Sequence, residues 1–338
     1  MPKTTAFHPR LEPLNETKIW KNWSGYLVAP QFKYSLTNEY YAIRSSVSLL
    51  DTSPLFKYRI SGTDSVRLLE RIMSRDIKRC KMGGAQYTVW SDEKGFVIQD
   101  GVVLRTNEFE FFLTAGEPTL RYFRSIAKQM KLDDVAVEDV SEKYGILALQ
   151  GPHAHNVICQ LTEGATDLKY FEVVQSNIGE TDVIISRTGY TGDLGYEIWI
   201  PSGDALSVWD ALMAAGEGYN IAPIGTTALK MARVEAGLLL LGVDFETSRF
   251  AWVDAQRETA IELGWSWMFR NLEKDSRDFI GRSAIEAEIE NKTSRWKTVG
   301  LEVDWHSYEA VHLEAGILPP KNDLYRETTM SIYRRTET

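Results

Sequence analysis

The chain has 338 residues, of which 43% are hydrophobic and 25% are charged, a composition typical of a folded protein of two or three domains. Its formal net charge of −9 argues against a broad nucleic-acid-binding surface. The N-terminus shows no apolar signal core, and the longest apolar run, residues 238–241, is far too short to span a bilayer. We therefore expect a cytoplasmic protein that binds a small molecule or another protein, with no nucleic acid and no membrane as partner.

The cysteine and histidine pattern predicts neither a disulfide nor a metal site. Cys80 and Cys159 lie far apart in the sequence, and neither belongs to a C-x-x-C motif. His153 and His155 are separated by a single residue, which places them on different sides of a helix. We expect two reduced thiols and no bound metal.

Taken in chain order, the predicted elements form two similar series of strands and helices. The first series is a helix at 40–50, a strand at 58–62, a helix through 66–72, strands at 87–90, 96–104 and 109–114, and a helix at 119–131. The second is a strand at 145–150, a helix from about 152, a hairpin of strands at 183–185 and 198–200, and a helix at 205–215. Antiparallel strands layered with helices predict an α+β fold.

The hairpin of the second series contains a glycine-rich turn, residues 187–197, called here the glycine turn. Its three glycines permit backbone conformations closed to other residues, and it carries the phenol of Tyr190 and the carboxylate of Glu197. It matches neither the dinucleotide-binding nor the P-loop pattern. The residues suit a flat ligand rich in hydrogen-bonding groups, although a purely structural hairpin stays an open alternative.

Asp100 lies in a strand whose alternation places it on an apolar face. That face is predicted to carry Phe96, Ile98, Val102 and Leu104, whereas Gln99 and Gly101 point the other way. A buried carboxylate is costly unless it is paired or used for proton or cation chemistry. The alternative is a bulge at Gly101 that turns Asp100 outward.

Arg233 lies in a predicted helix of about four turns, residues 226–242, with Thr226 as its N-cap and Gly242 at its end. The arginine sits beside an apolar stripe rather than opposite it. A salt bridge to Glu197 or Asp193 would be the structural explanation for an arginine there. A planar ligand held by both partners would be the functional one.

Together these segments resemble the aminomethyltransferase family, which comprises the T protein of the glycine cleavage system and its tetrahydrofolate-dependent relatives. The stretches that carry the resemblance are 42–51, 149–152, 186–197, 233–237 and 279–282, and the third of them is the most specific. The family fold implies two antiparallel-sheet α+β domains and a C-terminal β-barrel domain around a central folate site. The implied boundaries are 1–50 with 140–245, 51–139 with 246–290, and 291–338.

The resemblance also implies a site and an activity. Asp100 falls on the family's catalytic aspartate. The folate-contacting positions fall on Tyr87, Tyr190, Glu197, Arg233 and Glu262. The implied activity is transfer of a methylene or methyl unit from a small donor to tetrahydrofolate, with a lipoyl carrier protein as a further expected partner. A folate-dependent demethylase of methyl-sulfur, methyl-oxygen or methyl-amine donors and a non-catalytic folate-binding module are the alternatives.

The chain departs from the family pattern in ways that mark it as a divergent member. Residues 53–56 read Ser-Pro-Leu-Phe where the T proteins have a histidine after the serine, Gln99 replaces the first of two aspartates, and Thr114 replaces an asparagine. We expect Pro54, Phe56 and Gln99 to lie on the donor side of the site, which leaves the donor open. Residues 298–303 and 331–333 resemble barrel strands, and we expect the barrel domain to be incomplete in this sequence.

Overall fold

The computed structural model describes residues 2–270, 272–274, 276–300 and 302–318. Within these ranges the helices are α1 (His8–Leu14), α2 (Leu36–Ser45), α3 (Ser65–Ile72), α4 (Leu120–Gln129), α5 (Ala154–Ile158), α6 (Ala205–Gly216), α7 (Thr226–Glu235), α8 (Arg282–Asn291) and α9 (Trp305–Glu314). The strands are β1 (Lys21–Trp23), β2 (Tyr26–Val28), β3 (Ser48–Asp51), β4 (Phe56–Ser61), β5 (Gly84–Ser91), β6 (Val97–Asn107), β7 (Glu110–Ala115), β8 (Ala136–Asp139), β9 (Tyr144–Gln150), β10 (Val173–Ile178), β11 (Thr181–Ser186), β12 (Gly195–Pro201) and β13 (Ala222–Pro223).

A six-stranded sheet runs in the order β10-β11-β12-β9-β3-β13. All neighbours are antiparallel except the short pair β13 and β3. One face of this sheet packs on α5 and α6, because Tyr196, Ile198 and Ile200 alternate inward along β12 and meet Trp209 and Leu212 in one core. Residues 195, 197 and 199 of the same strand therefore point to the opposite face.

A five-stranded antiparallel sheet runs in the order β5-β6-β7-β4-β8. Its outer face packs on α3 and α4, since Leu68, Leu69 and Ile72 recur at helical spacing and join Phe123 and Val103 in a second core. The other face of this sheet packs against the six-stranded sheet, with the Phe112 and Trp199 rings edge to face at 5.5 Å between centroids. The candidate site lies in the seam between these two inner faces.

Two predicted helices end earlier than the sequence suggested. The helix predicted at 40–50 stops at Ser45, and residues 48–51 form β3 instead, because Ser46 leaves helical geometry and Ser48 to Asp51 pair with β9. The helix predicted at 226–242 stops at Glu235, because Gly237 adopts a left-handed φ of +68° and turns the chain. Its N-cap is Gly225 rather than Thr226.

The α+β class is confirmed, whereas the incomplete C-terminal barrel domain stays a prediction. Among the described residues from 291 onward there is no strand, and α9 follows the segment predicted to open the barrel. Residues 331–333 lie outside the described ranges. The domain boundaries stay a prediction.

Candidate functional site

Asp100 and Tyr87 form the part of the site contributed by the five-stranded sheet. The Tyr87 hydroxyl donates a hydrogen bond of 2.8 Å to Asp100 Oδ2. Burial raises the pKa of Asp100 to about 6, and the Tyr87 hydrogen bond offsets only part of that effect. Burial and the neighbouring carboxylate raise the pKa of Tyr87 as well. At neutral pH this pair is a poorly solvated anion held by a neutral phenol.

A β-bulge sets the direction of the Asp100 side chain. Val89 lies opposite Asp100, but Ser91 lies opposite Val97, so Ile98 is an extra residue in β6. Ile98 consequently joins the core on the helix side with Trp90. Asp100 keeps the face of Val102 and Leu104, as predicted, whereas the predictions that Ile98 shares this face and that Gly101 turns Asp100 outward are wrong.

The glycine turn is folded around the side chain of Gln150, which is 1% exposed. Its amide donates to Thr188 O at 3.3 Å and Tyr196 O at 3.2 Å, and accepts from Thr191 Oγ1 at 3.1 Å. A Cβ on Gly189 would lie 2.7 Å from Gln150 Cδ, and one on Gly195 would overlap the same amide.

The third glycine of the turn serves a different purpose. Gly192 has a φ of +75° and lies against Ala236 at the end of α7. The structure thus gives a physical reason for each of the three glycines.

Glu197 points into the seam between the sheets, two residues from Trp199 on the same face of β12. Its carboxylate accepts a short hydrogen bond from Thr188, which is in turn bonded to Ser186. Burial raises the pKa of Glu197. Its second carboxylate oxygen accepts no hydrogen bond from the described part of the chain.

Arg233 and Tyr190 meet at the turn that follows α7. Arg233 is 3% exposed and pairs with Asp244, so the predicted salt bridge to Glu197 or Asp193 is wrong. Its Nη1 also donates to Leu238 O at 3.1 Å, while its Nε has no partner among the described residues.

Tyr190 joins this turn to the aspartate on the other sheet. Its hydroxyl donates to Leu239 O. Burial and the charge of Asp100 raise its pKa, which Arg233 partly lowers. Tyr87, Asp100, Tyr190 and Arg233 are therefore neighbours.

Glu262 is placed differently from the other predicted residues. It is buried, and it accepts hydrogen bonds from the Thr259 amide at 3.0 Å and from the Arg295 amide at 2.7 Å and Nε at 3.1 Å. It lies on the segment that carries Trp265, whose ring packs edge to face on Tyr87 at 5.8 Å. Its carboxylate is thus already paired within the chain.

Of the residues predicted on the donor side, Gln99 and Phe56 point elsewhere. Gln99 is buried on the face opposite Asp100 and bonds the backbone of Glu117 through both its amide nitrogen, at 3.2 Å, and its oxygen, at 2.5 Å. Phe56 packs with the core under α3 and α4. In β4 it is Lys57 that faces the seam, opposite Thr114.

Sequence reasoning missed Lys57, Gln150 and Asp244. Lys57 is 0% exposed, and its ammonium donates to Ser53 O at 2.6 Å and Leu55 O at 2.9 Å. Burial lowers the pKa of Lys57 to about 8. A lysine flanked by Phe56 and Tyr58 in a strand was the available signal, whereas Asp244 gave none.

The described residues lack a metal-binding cluster, a disulfide and a membrane-spanning helix. They contain no group of three or more His, Cys, Asp or Glu side chains placed to hold a metal ion. Both cysteines are free thiols. No helix within the described ranges has the length and apolar character needed to cross a membrane.

Comparison with known proteins assigns the chain to a family. The model of the GCVT N-terminal domain matches residues 14–299. An aminomethyltransferase of Listeria monocytogenes serotype 4a (strain HCC23) is 33% identical over 302 residues, which cover 88% of this chain and 78% of that protein. An aminomethyltransferase of Bacillus subtilis (strain 168) is 31% identical over 295 residues, covering 85% and 78%.

A solved structure shows the same fold. The glycine cleavage system aminomethyltransferase T from Bartonella henselae superposes with a TM-score of 0.75 at 23% identity, over 86% of this chain and 76% of that chain. With a family model that spans most of its length and relatives above 30% identity, this chain belongs to the glycine cleavage T protein, or aminomethyltransferase, family.

Proposed function

We propose that the protein is a tetrahydrofolate-dependent one-carbon transferase that uses Asp100 as its catalytic residue. The observation that carries the proposal is the half-buried, hydrogen-bonded pair of Tyr87 and Asp100, which lies beside Tyr190 in the seam between the two sheets. A carboxylate kept there at a cost of burial is suited to stabilise a positive charge that develops on a bound reactant.

The polar groups left open in the seam fit a folate. Arg233 Nε is a buried donor without a partner among the described residues, and one oxygen of the half-buried Glu197 carboxylate accepts no hydrogen bond from them. A pteridine ring presents an amino group and a ring N–H side by side, together with a carbonyl and ring nitrogens. Glu197 would accept from the first two groups and Arg233 would donate to the last, while Tyr190 would contact the ring.

Glu262 is the weakest member of the predicted folate set. Its carboxylate already binds Arg295, so a direct contact with folate would require that ion pair to open. We propose instead that it holds the segment of Trp265 against Tyr87.

The chain's own residues prepare the chemistry in three ways. Tetrahydrofolate supplies the nitrogen atoms that accept the one-carbon unit. Asp100 is ionised above pH 6 and offers its carboxylate to a cationic centre, while the Tyr87 hydroxyl fixes one of its oxygens. The Tyr87 ring packs edge to face on Trp265, which holds it beside this carboxylate, and the poor solvation of the carboxylate strengthens its interaction with a bound cation.

Two reactions satisfy this arrangement and differ in the donor and in the one-carbon unit transferred. One is transfer of an aminomethyl-derived carbon, as the relatives' name of aminomethyltransferase suggests, with a lipoyl carrier protein as the proposed donor. The other is demethylation of a small methylated donor. Replacement of the family histidine by Pro54, next to the buried Lys57 ammonium, favours a changed donor in this chain.

Calorimetric titration of the full chain with tetrahydrofolate, under reducing conditions, tests the proposal. We expect saturable binding, and we expect Asp100→Asn to abolish turnover while retaining binding. Asp182→Asn, on an exposed position of β11, is the matched control and should behave as the wild type. Absence of binding by the wild type, or unchanged turnover in Asp100→Asn, would refute the proposed function.

The donor is tested separately with the same preparation. Incubation with tetrahydrofolate and either an aminomethylated lipoyl carrier or a panel of methyl-sulfur, methyl-oxygen and methyl-amine compounds distinguishes the two reactions by the folate product. If folate product forms only with the aminomethylated carrier, the result supports the aminomethyltransferase. If it forms only with a small methylated compound, the result supports the demethylase.

A further inference from the structure

Arg44, near the end of α2, joins two segments that are distant in sequence. Its Nη1 donates to Thr191 O in the glycine turn at 2.8 Å, and its Nη2 donates to Ala232 O in α7 at 3.1 Å. The same guanidinium pairs with the carboxylate of Glu235 at 2.6 Å, and lies 3.7 Å from that of Asp193. One planar group thus bonds the turn and the last turn of the helix together.

The two carbonyls that Arg44 binds lie directly next to predicted ligand residues. Thr191 follows Tyr190, and Ala232 precedes Arg233. We propose that Arg44 is a positioning residue, which fixes the separation of Tyr190 and Arg233 across the site. The proposal rests on the proposed function for its ligand, but the clamp itself is defined by contacts within the chain.

The contacts require an arginine because they extend in different directions from one planar group. A guanidinium carries five N–H donors in a rigid fork, so it reaches a carboxylate on one side and two carbonyls on the other. A lysine ammonium is a point charge on a flexible stem and keeps at most part of this set. Arg44→Lys therefore preserves the charge beside Glu235 while removing the geometry.

The guanidinium is itself held in place. The hydroxyl of Tyr40, one turn earlier on α2, donates to the second carboxylate oxygen of Glu235 at 2.7 Å, and the Arg44 guanidinium carbon lies 5.9 Å from the centre of the Tyr40 ring. Ala232 O also accepts the amide of Ala236 at 3.1 Å, so Arg44 attaches to the helix without breaking its hydrogen bonding. Such fixed partners distinguish the clamp from an ordinary surface ion pair.

The test compares Arg44→Lys with Arg10→Lys in the full chain. Arg10 makes a two-point contact with Asp210, at 2.8 and 2.7 Å, on the exposed surface between α1 and α6, and it has no part in the site. Amide hydrogen exchange in the ligand-free protein is followed over residues 188–195 and over β9, and tetrahydrofolate affinity is measured by calorimetry.

We expect Arg44→Lys to raise exchange about tenfold over residues 188–195 only, and to weaken tetrahydrofolate binding about tenfold, which corresponds to about 1.4 kcal/mol. Arg10→Lys should change neither. Three outcomes for Arg44→Lys would each overturn the positioning role. These are exchange and affinity that match those of Arg10→Lys, faster exchange without loss of affinity, and exchange that rises equally in β9.

The exchange measurement keeps the two proposals separable, because it needs no ligand. A wild-type protein that does not bind tetrahydrofolate refutes the proposed function alone. In that case, selectively faster exchange over 188–195 in Arg44→Lys still supports the clamp, and unchanged exchange refutes it.

Discussion

Gly195→Ala is the sharpest test of how the glycine turn is built. Gly195 lies directly opposite Gln150 in the pairing of β12 with β9, and an added methyl group would overlap the Gln150 side-chain amide. The backbone cannot move aside without breaking strand pairing, so the Gln150 side chain must be displaced. The alanine thus acts through the glutamine rather than through its own conformational preference.

The expected cost follows from what Gln150 loses. It makes three hydrogen bonds, to Thr188, Tyr196 and Thr191, and each is worth about 1 kcal/mol in a buried setting. Overpacking adds about 1 to 3 kcal/mol if the side chain is only partly displaced. We expect Gly195→Ala to lower the free energy of unfolding by about 3 to 5 kcal/mol.

Urea denaturation monitored by circular dichroism measures this cost, and a double-mutant cycle assigns its cause. Gln150→Ala alone should cost about 2 to 3 kcal/mol, whereas adding Gly195→Ala to it should cost almost nothing further, a coupling of at least about 2 kcal/mol. Gly203→Ala is the control, because a Cβ at Gly203 would have no neighbour within 4 Å. Additive effects of the two substitutions would refute the role of Gln150 as the side chain around which the glycine turn folds.

Three further predictions concern buried charges. Because the pKa of Asp100 is raised from 3.8 to about 6, its ionisation destabilises the fold as pH rises through that window. Between pH 4 and pH 7.5 the free energy of unfolding of Asp100→Asn, measured in urea melts, should therefore rise by up to about 3 kcal/mol relative to that of the wild type. The pKa of Lys57 is lowered from 10.5 to about 8, so loss of its proton stabilises the fold as pH rises through that window. Between pH 7.5 and 10.5 the free energy of unfolding of the wild type should rise by up to about 3 kcal/mol relative to that of Lys57→Met. A pH-independent difference would contradict either assignment. Arg233→Met leaves Asp244 without its partner and should lower the free energy of unfolding by about 3 to 5 kcal/mol. The double substitution Arg233→Met/Asp244→Leu should recover more than half of this loss. An unchanged free energy of unfolding in Arg233→Met would show that the pair is unimportant for folding.

The parts of the site that depend on local patterns were predictable from the sequence. Alternation along β6 placed Asp100 on an inward face, and helical spacing placed Arg233 beside the buried stripe of α7. Both inferences use one element at a time. They need no knowledge of which segment packs against that element.

The parts that depend on two elements meeting were not predictable. The partner of Arg233 is Asp244 because Gly237 ends α7 and turns the chain back, and no sequence period specifies that turn. Gln150 gains its role only because Gly189 and Gly195 close over it from another strand pair. Such contacts are set by tertiary packing, which single-element patterns do not encode.

The donor question now depends on the connection between the two sheets. The predicted donor-side residues Phe56 and Gln99 are used for packing and for backbone hydrogen bonding, so neither selects a donor directly. The segment from Asp51 to Lys57 crosses from β3 in the six-stranded sheet to β4 in the five-stranded sheet, and the Lys57 ammonium holds its Ser53 and Leu55 carbonyls.

Because Asp100 belongs to one sheet and Glu197 to the other, the distance between the proposed catalytic carboxylate and the proposed folate-binding carboxylate depends on how this crossing is held. Burying an ammonium group costs free energy, so its use to hold this loop indicates that the geometry of the loop matters. We therefore expect substitutions of Lys57 to alter the use of donors more than the affinity for tetrahydrofolate. Measuring both quantities for Lys57→Met decides this, and an equal loss of the two would contradict it.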